Sequence, residues 1–246
     1  MTVLLCSSVE TALVSLADLL GLGEPELRKR LAEERVDERF EERLRIKPYD
    51  ELVWSDVTGM PNSSTPAPSE VVWFHATRVP PETPFSKTGL LPLKDCLPAL
   101  RAEVRRIADE LNISPEGGFV SPSYFSKLSA LEEQGPCAFL LRDAALGRSE
   151  SHRDYLKAPE IVEDLALQIN GRRFNEILTA YQRITKRCIV SFRSSEPRPD
   201  VARRALAYCH AFLHGRDDPP RWNTSFCGLG KTVPPSDLLR VEWLDG

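Results

Sequence analysis

The sequence lacks a long apolar run, which is the feature that would place a protein in a membrane. Its apolar stretches, such as residues 71–74 and 138–141, fall far short of the roughly 20 residues that cross a bilayer as a helix. The N-terminal residues also lack the positive segment and small-residue cleavage site of a secretory signal. We therefore expect a cytoplasmic protein with no membrane partner.

The sequence also lacks paired cysteines and a large excess of charge of either sign. Its six cysteines are scattered and form no Cys-x-x-Cys motif, so their spacing predicts neither a disulfide framework nor a metal site. The net charge of −4 disfavours a protein whose main task is to hold a phosphate backbone. Hydrophobic residues at 41% and charged residues at 28% are ordinary for a globular protein of 246 residues.

The N-terminal part of the chain has helical periodicity. Ser8 is a suitable N-cap, and apolar residues recur at helical spacing after it until Gly21 and Gly23. Residues 58–69 are rich in Pro, Ser and Thr and have turn chemistry throughout. The sequence therefore predicts a helical segment over residues 1–57, a linker over 58–69 and a main domain over 70–246.

The main domain mixes short strands with helices of uneven length. Strands are predicted at residues 71–77, 137–141, 188–192 and 238–244, where β-branched and aromatic residues follow turn signals. Helices are predicted at residues 95–111, 159–184 and 200–214. This irregular order predicts an α+β protein rather than a regularly alternating parallel sheet.

The most informative stretch lies where the first predicted strand of the domain ends. It reads Val-Val-Trp-Phe-His75-Ala76-Thr77-Arg78, and Gly89 followed by Leu-Leu comes about ten residues later. A histidine and a hydroxyl at a strand end can both meet a ligand. A glycine after a short helix is typical of a helix C-cap packed near the strand.

These residues resemble the first motif of the ADP-ribosyltransferase superfamily, in which a strand ending in His-x-Thr precedes a helix and a Gly-Leu pair. The resemblance implies that His75 hydrogen-bonds the ribose of NAD. It also implies that the backbone around Ala76 and Thr77 holds the nicotinamide amide, with Arg78 beside them in the same site. Ala76 replaces the glycine that is usual at this position.

A second motif of that family supplies an aromatic ring that stacks on the nicotinamide. The segment at residues 117–129, which combines glycines, serines and aromatic residues, is similar to it. The resemblance implies that Tyr124, or else Phe119, is the stacking ring. A core aromatic beside a Ser-Pro turn is an equally good interpretation of this segment.

The third motif of the family supplies a glutamate near the last strands, which stabilises the positive charge that develops on the ribose. The segment at residues 222–241 resembles the closing hairpin of the family, but the glutamate position holds Asn223 or Thr224. Three interpretations stay open: a carboxylate from Glu132, Glu133 or Glu176, chemistry like that of the RNA 2′-phosphotransferases with Arg78 among the candidate arginines, or a binding module without turnover.

The resemblance implies a split, mostly antiparallel sheet with flanking helices from about residue 70 onward. It implies an enzyme that cleaves the nicotinamide–ribose bond of NAD and transfers ADP-ribose to a protein or nucleic-acid acceptor. His75, Thr77 and Tyr124 are the expected catalytic residues, and NAD is the expected substrate. A degenerate domain that binds a nucleotide or a partner protein is the main alternative.

Overall fold

The computed structural model describes residues 2–33, 38–116, 122–147, 154–196, 198–216 and 218–244. The chain forms two compact units that are interleaved along the sequence. Unit 1 contains residues 1–74, 139–152 and 193–225, and unit 2 contains residues 75–138, 153–192 and 226–246. The sequence predicts a linear division with a boundary at residues 58–69, and that division stays a prediction.

Helices form most of the described structure, which is α+β as the sequence predicts. Among these residues no helix is both long and apolar enough to span a membrane. The helices are α1 (Val9–Leu20), α2 (Glu24–Glu33), α3 (Glu38–Leu44), α4 (Tyr49–Thr58), α5 (Phe85–Thr88), α6 (Leu93–Glu110), α7 (Pro122–Ser129), α8 (Arg142–Ala145), α9 (Glu160–Ile169), α10 (Phe174–Ile184), α11 (Pro199–Leu213) and α12 (Pro219–Trp222).

The described strands form one sheet of six, in the order β5-β3-β2-β4-β6, with β1 beside β2. The β2–β3 and β4–β6 pairs are antiparallel, whereas β1 and β2 are parallel. The strands are β1 (Val3–Leu4), β2 (Glu70–Val79), β3 (Cys137–Phe139), β4 (Lys186–Ser194), β5 (Ser225–Cys227) and β6 (Leu238–Trp243). Flanking helices and a mostly antiparallel sheet agree with the predicted class.

The core of unit 1 is a packed group of helices in which α11 contacts α1 and α4. Helix α1 begins where the sequence predicts, because Ser8 accepts a hydrogen bond from the Thr11 amide while the Thr11 hydroxyl accepts one from the Ser8 amide. This reciprocal cap satisfies two amides that a helix N-terminus would leave without partners. Gly21 ends the helix in the left-handed conformation.

The core of unit 2 is built from α6, α9 and α10. Helix α6 presents an apolar stripe that includes Leu97, Val104 and Ile107, all of them buried. Tyr181 of α10 is almost fully buried in the same cluster. These helices, together with α5 and the second half of β2, contribute to the walls of the pocket described next.

Candidate ligand pocket around His75

A pocket of about 330 Å³ lies wholly within unit 2, where the second half of β2 emerges. Its volume is in the lower part of the range for small-molecule sites. Residues 75–79 form one wall, the segment from α5 to the start of α6 forms another, and residues 133–137 and the start of α9 complete it. The apolar part of the lining is Val79, Phe85, Leu90, Leu91, Leu93, Leu100, Pro136, Pro159 and Ile161.

His75 is half-buried in the pocket wall and is fixed by one hydrogen bond. Its Nδ1 lies 2.6 Å from the carbonyl oxygen of Cys137. A carbonyl can only accept, so Nδ1 carries the proton and Nε2 of the neutral ring keeps a lone pair. Burial lowers the pKa of His75, and the bond to Cys137 opposes this only in part. Near neutral pH His75 is therefore an acceptor at Nε2.

The three residues after His75 also line the pocket, but Arg78 has a structural role there. Its guanidinium donates to the hydroxyl and carbonyl oxygens of Thr185 at 3.0 and 3.1 Å. It also donates to the carbonyl oxygens of Gln182 at 2.6 Å and Leu156 at 3.4 Å. These bonds tie β2 to the end of α10, so the guanidinium is committed to protein groups. Ala76 and Thr77 are buried.

Gly89 connects the Gly-Leu part of the motif to the closing segment of the chain. Its φ is +69° and its ψ is −156°, a backbone region that is essentially restricted to glycine. A Cβ at this position would lie 2.0 Å from the carbonyl oxygen of Val233. The next residue, Leu90, exchanges two backbone hydrogen bonds of 3.0 Å with Val233. The glycine allows these two segments to approach.

A buried ion cluster in unit 2 contributes to the pocket lining. Nζ of Lys127 lies 2.5 Å from Asp164 and 2.7 Å from Glu160, and the Lys127 and Asp164 side chains are both buried. Two carboxylates therefore contact one ammonium in this cluster. The side-chain amide of Gln134 donates to the Lys127 carbonyl at 2.6 Å. Glu133, at the end of the preceding turn, adds a further carboxylate to the lining.

Tyr124, the predicted stacking ring, lies in the helical core of unit 2. Its side chain is buried in the cluster formed by α6, α9 and α10, and it is not among the residues that line the pocket. The guanidinium of Arg101 hydrogen-bonds its hydroxyl and lies 5.8 Å from its ring centroid. Phe119, the second choice, lies outside the described residues. Stacking by either ring stays a prediction.

Of the three glutamates considered from the sequence, Glu133 lines the pocket, and Glu132 and Glu176 are not in its lining. Glu176 is exposed and paired with Arg173 at 2.8 Å. The carbonyl oxygen of Glu132 accepts from the Cys227 thiol at 2.9 Å. Sequence reasoning did not select Glu160, because its approach to Lys127 brings together residues 33 positions apart.

Asn223 and Thr224, which occupy the expected glutamate position, have structural partners in unit 1. The side-chain oxygen of Asn223 accepts from the Leu141 amide at 3.1 Å. The Thr224 hydroxyl donates to Asp200 at 3.3 Å and accepts from Arg198 at 3.1 Å. Both side chains therefore serve to hold the local backbone.

The chain matches no protein-family model, no curated protein and no solved structure. Within the described residues, no group of three or more His, Cys, Asp or Glu side chains is arranged to hold a metal ion. The site is thus characterised by its own geometry: a neutral histidine acceptor, apolar walls, and a border that carries charged side chains of both signs.

Proposed function

We propose that the pocket around His75 binds NAD and that the protein is an ADP-ribosyltransferase-like enzyme. It would cleave the nicotinamide–ribose bond and transfer ADP-ribose to a protein or nucleic-acid acceptor. One observation carries this proposal. A single small pocket is lined by His75 and Thr77 from the first part of the sequence motif and by Leu90 from the second. The short helix α5 lies between the two parts in the chain.

The chemistry of the lining fits the nicotinamide end of NAD. The Nε2 lone pair of His75 can accept a hydrogen bond from a ribose hydroxyl, as the resemblance implies. Apolar walls suit a flat aromatic ring. The ring is cationic in NAD, and Glu133 places a carboxylate in the same lining. The other charged side chains of the lining are engaged with protein groups, since Glu160 is paired with Lys127 and Arg78 is bonded to Thr185.

A carboxylate is also needed where positive charge develops on the ribose as nicotinamide leaves. Glu133 is the residue that we assign to this role. It lines the pocket and is exposed, so it can reach a ligand. Glu160 is already paired with Lys127 at 2.7 Å, so its charge is largely compensated. The carboxylate would then come from the turn before β3 and not from the last strands.

A binding module without turnover is the second candidate function. The observation that favours it is the structural role of Asn223 and Thr224 at the expected glutamate position. Chemistry like that of the RNA 2′-phosphotransferases is less favoured, because Arg78, the arginine named for it, is engaged in four hydrogen bonds to protein groups.

Two measurements on the purified protein test the proposal: nicotinamide release from NAD, and the shift in Tm that NAD produces. A ligand that binds only the folded state raises its stability by mass action. His75→Ala should abolish both effects, whereas His214→Ala, the same truncation in unit 1, should preserve them. A Tm shift without release would support the binding module. The absence of both effects in the wild type would refute NAD as the ligand.

A further inference from the structure

Strands β3 and β5 are joined by two hydrogen bonds that fix their register. The amide of Gly228 donates to the carbonyl oxygen of Pro136 at 3.0 Å, and the amide of Leu140 donates to the carbonyl oxygen of Thr224 at 3.0 Å. As the residue number rises along one strand it falls along the other by the same amount, so the pair is antiparallel. In such a ladder the residues between these bonds alternate between hydrogen-bonded and non-hydrogen-bonded pairs.

This register places Cys137 directly opposite Cys227, in a non-hydrogen-bonded pair one residue inward from Pro136 and Gly228. The Cα atoms of such a pair are typically about 4.5 Å apart, and their side chains lie on the same face. That separation is within the range that a disulfide spans, about 4.4–6.8 Å between Cα atoms. Both thiols also converge on the carbonyl oxygen of Glu132, which is 2.9 Å from the Cys227 sulfur and 4.0 Å from the Cys137 sulfur.

We propose that Cys137 and Cys227 are a cross-strand dithiol that is converted to a disulfide by thiol–disulfide exchange with a low-molecular-weight disulfide. The Cys227 thiol loses its proton to solvent, and its sulfur attacks one sulfur of the small disulfide, releasing one small thiol. The Cys137 sulfur, after losing its proton, then attacks the Cys227 sulfur and releases the second small thiol. Two protein thiols are oxidised and one small disulfide is reduced to two thiols.

The order of attack follows from the surroundings of the two sulfurs. Burial raises the pKa of the Cys137 thiol to about 12, with the neighbouring Cys227 adding to the effect. Since the thiolate is the nucleophile, Cys137 is a poor first attacker near neutral pH. We therefore assign the first attack to Cys227 and the resolving step to Cys137, which lies directly across the strand pair.

Three of the other four cysteines are less accessible than this pair. Cys137 is exposed and Cys227 is half-buried, whereas Cys6, Cys188 and Cys209 are buried. Cys137 is also part of the pocket wall, since its carbonyl oxygen accepts the hydrogen bond from His75. Oxidation would thus modify the side chain of the residue whose backbone carbonyl orients His75. The proposal itself does not depend on what the pocket binds.

The test uses the 246-residue chain carrying Cys96→Ser, which removes the remaining cysteine that is not buried. The reduced, folded protein is incubated with glutathione disulfide, free thiols are blocked, and peptides are mapped by mass spectrometry without reduction. A peptide that links Cys137 to Cys227, with no glutathione attached, is the expected product. Adding Cys137→Ser removes the resolving thiol, so Cys227 should then accumulate a stable glutathione adduct.

Two results would overturn the proposal. One is glutathione retained on both Cys137 and Cys227 without a cross-link, which would show that the sulfurs cannot meet. The other is complete alkylation of both thiols after incubation, which would show that neither exchanges. Circular dichroism of Cys137→Ser before oxidation verifies that the variant is folded, and a dithiothreitol wash should restore both thiols in the parent protein.

Discussion

Replacing Gly89 by alanine tests the junction between the Gly-Leu segment and the closing segment of unit 2. The new Cβ would lie 2.0 Å from the Val233 carbonyl oxygen and 3.1 Å from the carbonyl carbon of Pro234, both of which are backbone atoms. Holding a non-glycine residue in this backbone region costs about 1–3 kcal/mol. If the segments separate instead, the two Leu90–Val233 hydrogen bonds are lost, at about 0.5–1.5 kcal/mol each.

On either course we therefore expect Gly89→Ala to lower the free energy of unfolding by roughly 1–3 kcal/mol. The assay is urea denaturation followed by far-ultraviolet circular dichroism, in which the midpoint should fall and the slope should stay unchanged. Gly171→Ala is the matched control, because its φ is not positive and a Cβ there would meet nothing within 4 Å. A Gly89→Ala variant as stable as the Gly171→Ala control would refute the steric reasoning.

Three further predictions concern the pocket and its surroundings. NAD affinity should be constant above about pH 6.5 and should fall at lower pH as His75 protonates. The reason is that the pKa of His75 is lowered and that Nε2 accepts a hydrogen bond only in the neutral ring. A calorimetric pH series without this fall would contradict the acceptor role of His75. Stability should follow the same direction, since the unfolded chain binds the proton at higher pH than the folded one. Lys127→Met should lower the free energy of unfolding by about 3–5 kcal/mol, because it leaves the buried carboxylate of Asp164 without its ammonium. The control is Lys29→Met, which removes one partner of the exposed 3.8 Å pair between Lys29 and Glu33. Equal losses of unfolding free energy in the two variants would contradict the burial argument. Tyr124→Leu should lower the free energy of unfolding by about 1–3 kcal/mol, since the ring is buried in the helical cluster. For the same reason it should change the NAD affinity of the folded protein by less than about twofold. A much larger loss of affinity would instead support the stacking role of Tyr124.

Elements with local sequence signals were predictable, and their bounds agree closely with the structure. Ser8 caps α1, and the apolar stripe at residues 95–111 became α6 (Leu93–Glu110). The run of aromatic and β-branched residues at 71–77 became the core of β2. In each case, a cap or a periodic pattern several residues long supplies the signal.

Elements without such a signal were missed. Strands β1 and β5 have two and three residues, so they are too short to show a period. They form because longer neighbours in the sheet offer them backbone partners, which depends on distant parts of the chain. Cys137 and Cys227 lie opposite each other for the same reason. Their proximity follows from strand pairing, and the 90 residues between them in the sequence give no sign of it.

The pocket was predictable in part, from the residues that adjoin β2. His75, Ala76 and Thr77 line it, but the acidic side chains on its border come from the turn before β3 and from α9. Glu133 was among the three candidate carboxylates named from the sequence, but no local pattern marks Glu160 as sharing a pocket with a histidine 85 residues away. Such pairings are fixed by the packing of α6, α7 and α9, which is a tertiary property.

The two halves of the sequence motif have different physical origins. Gly89 is required by the approach of the Val233 backbone, so a glycine would be needed here whatever the pocket binds. Arg78 is likewise required by its bonds to Thr185 and its neighbours. The support for NAD therefore comes from His75 and Thr77. His75 makes one structural hydrogen bond through Nδ1, to Cys137, and the neutral ring keeps a lone pair at Nε2, so its replacement is the most direct test of function.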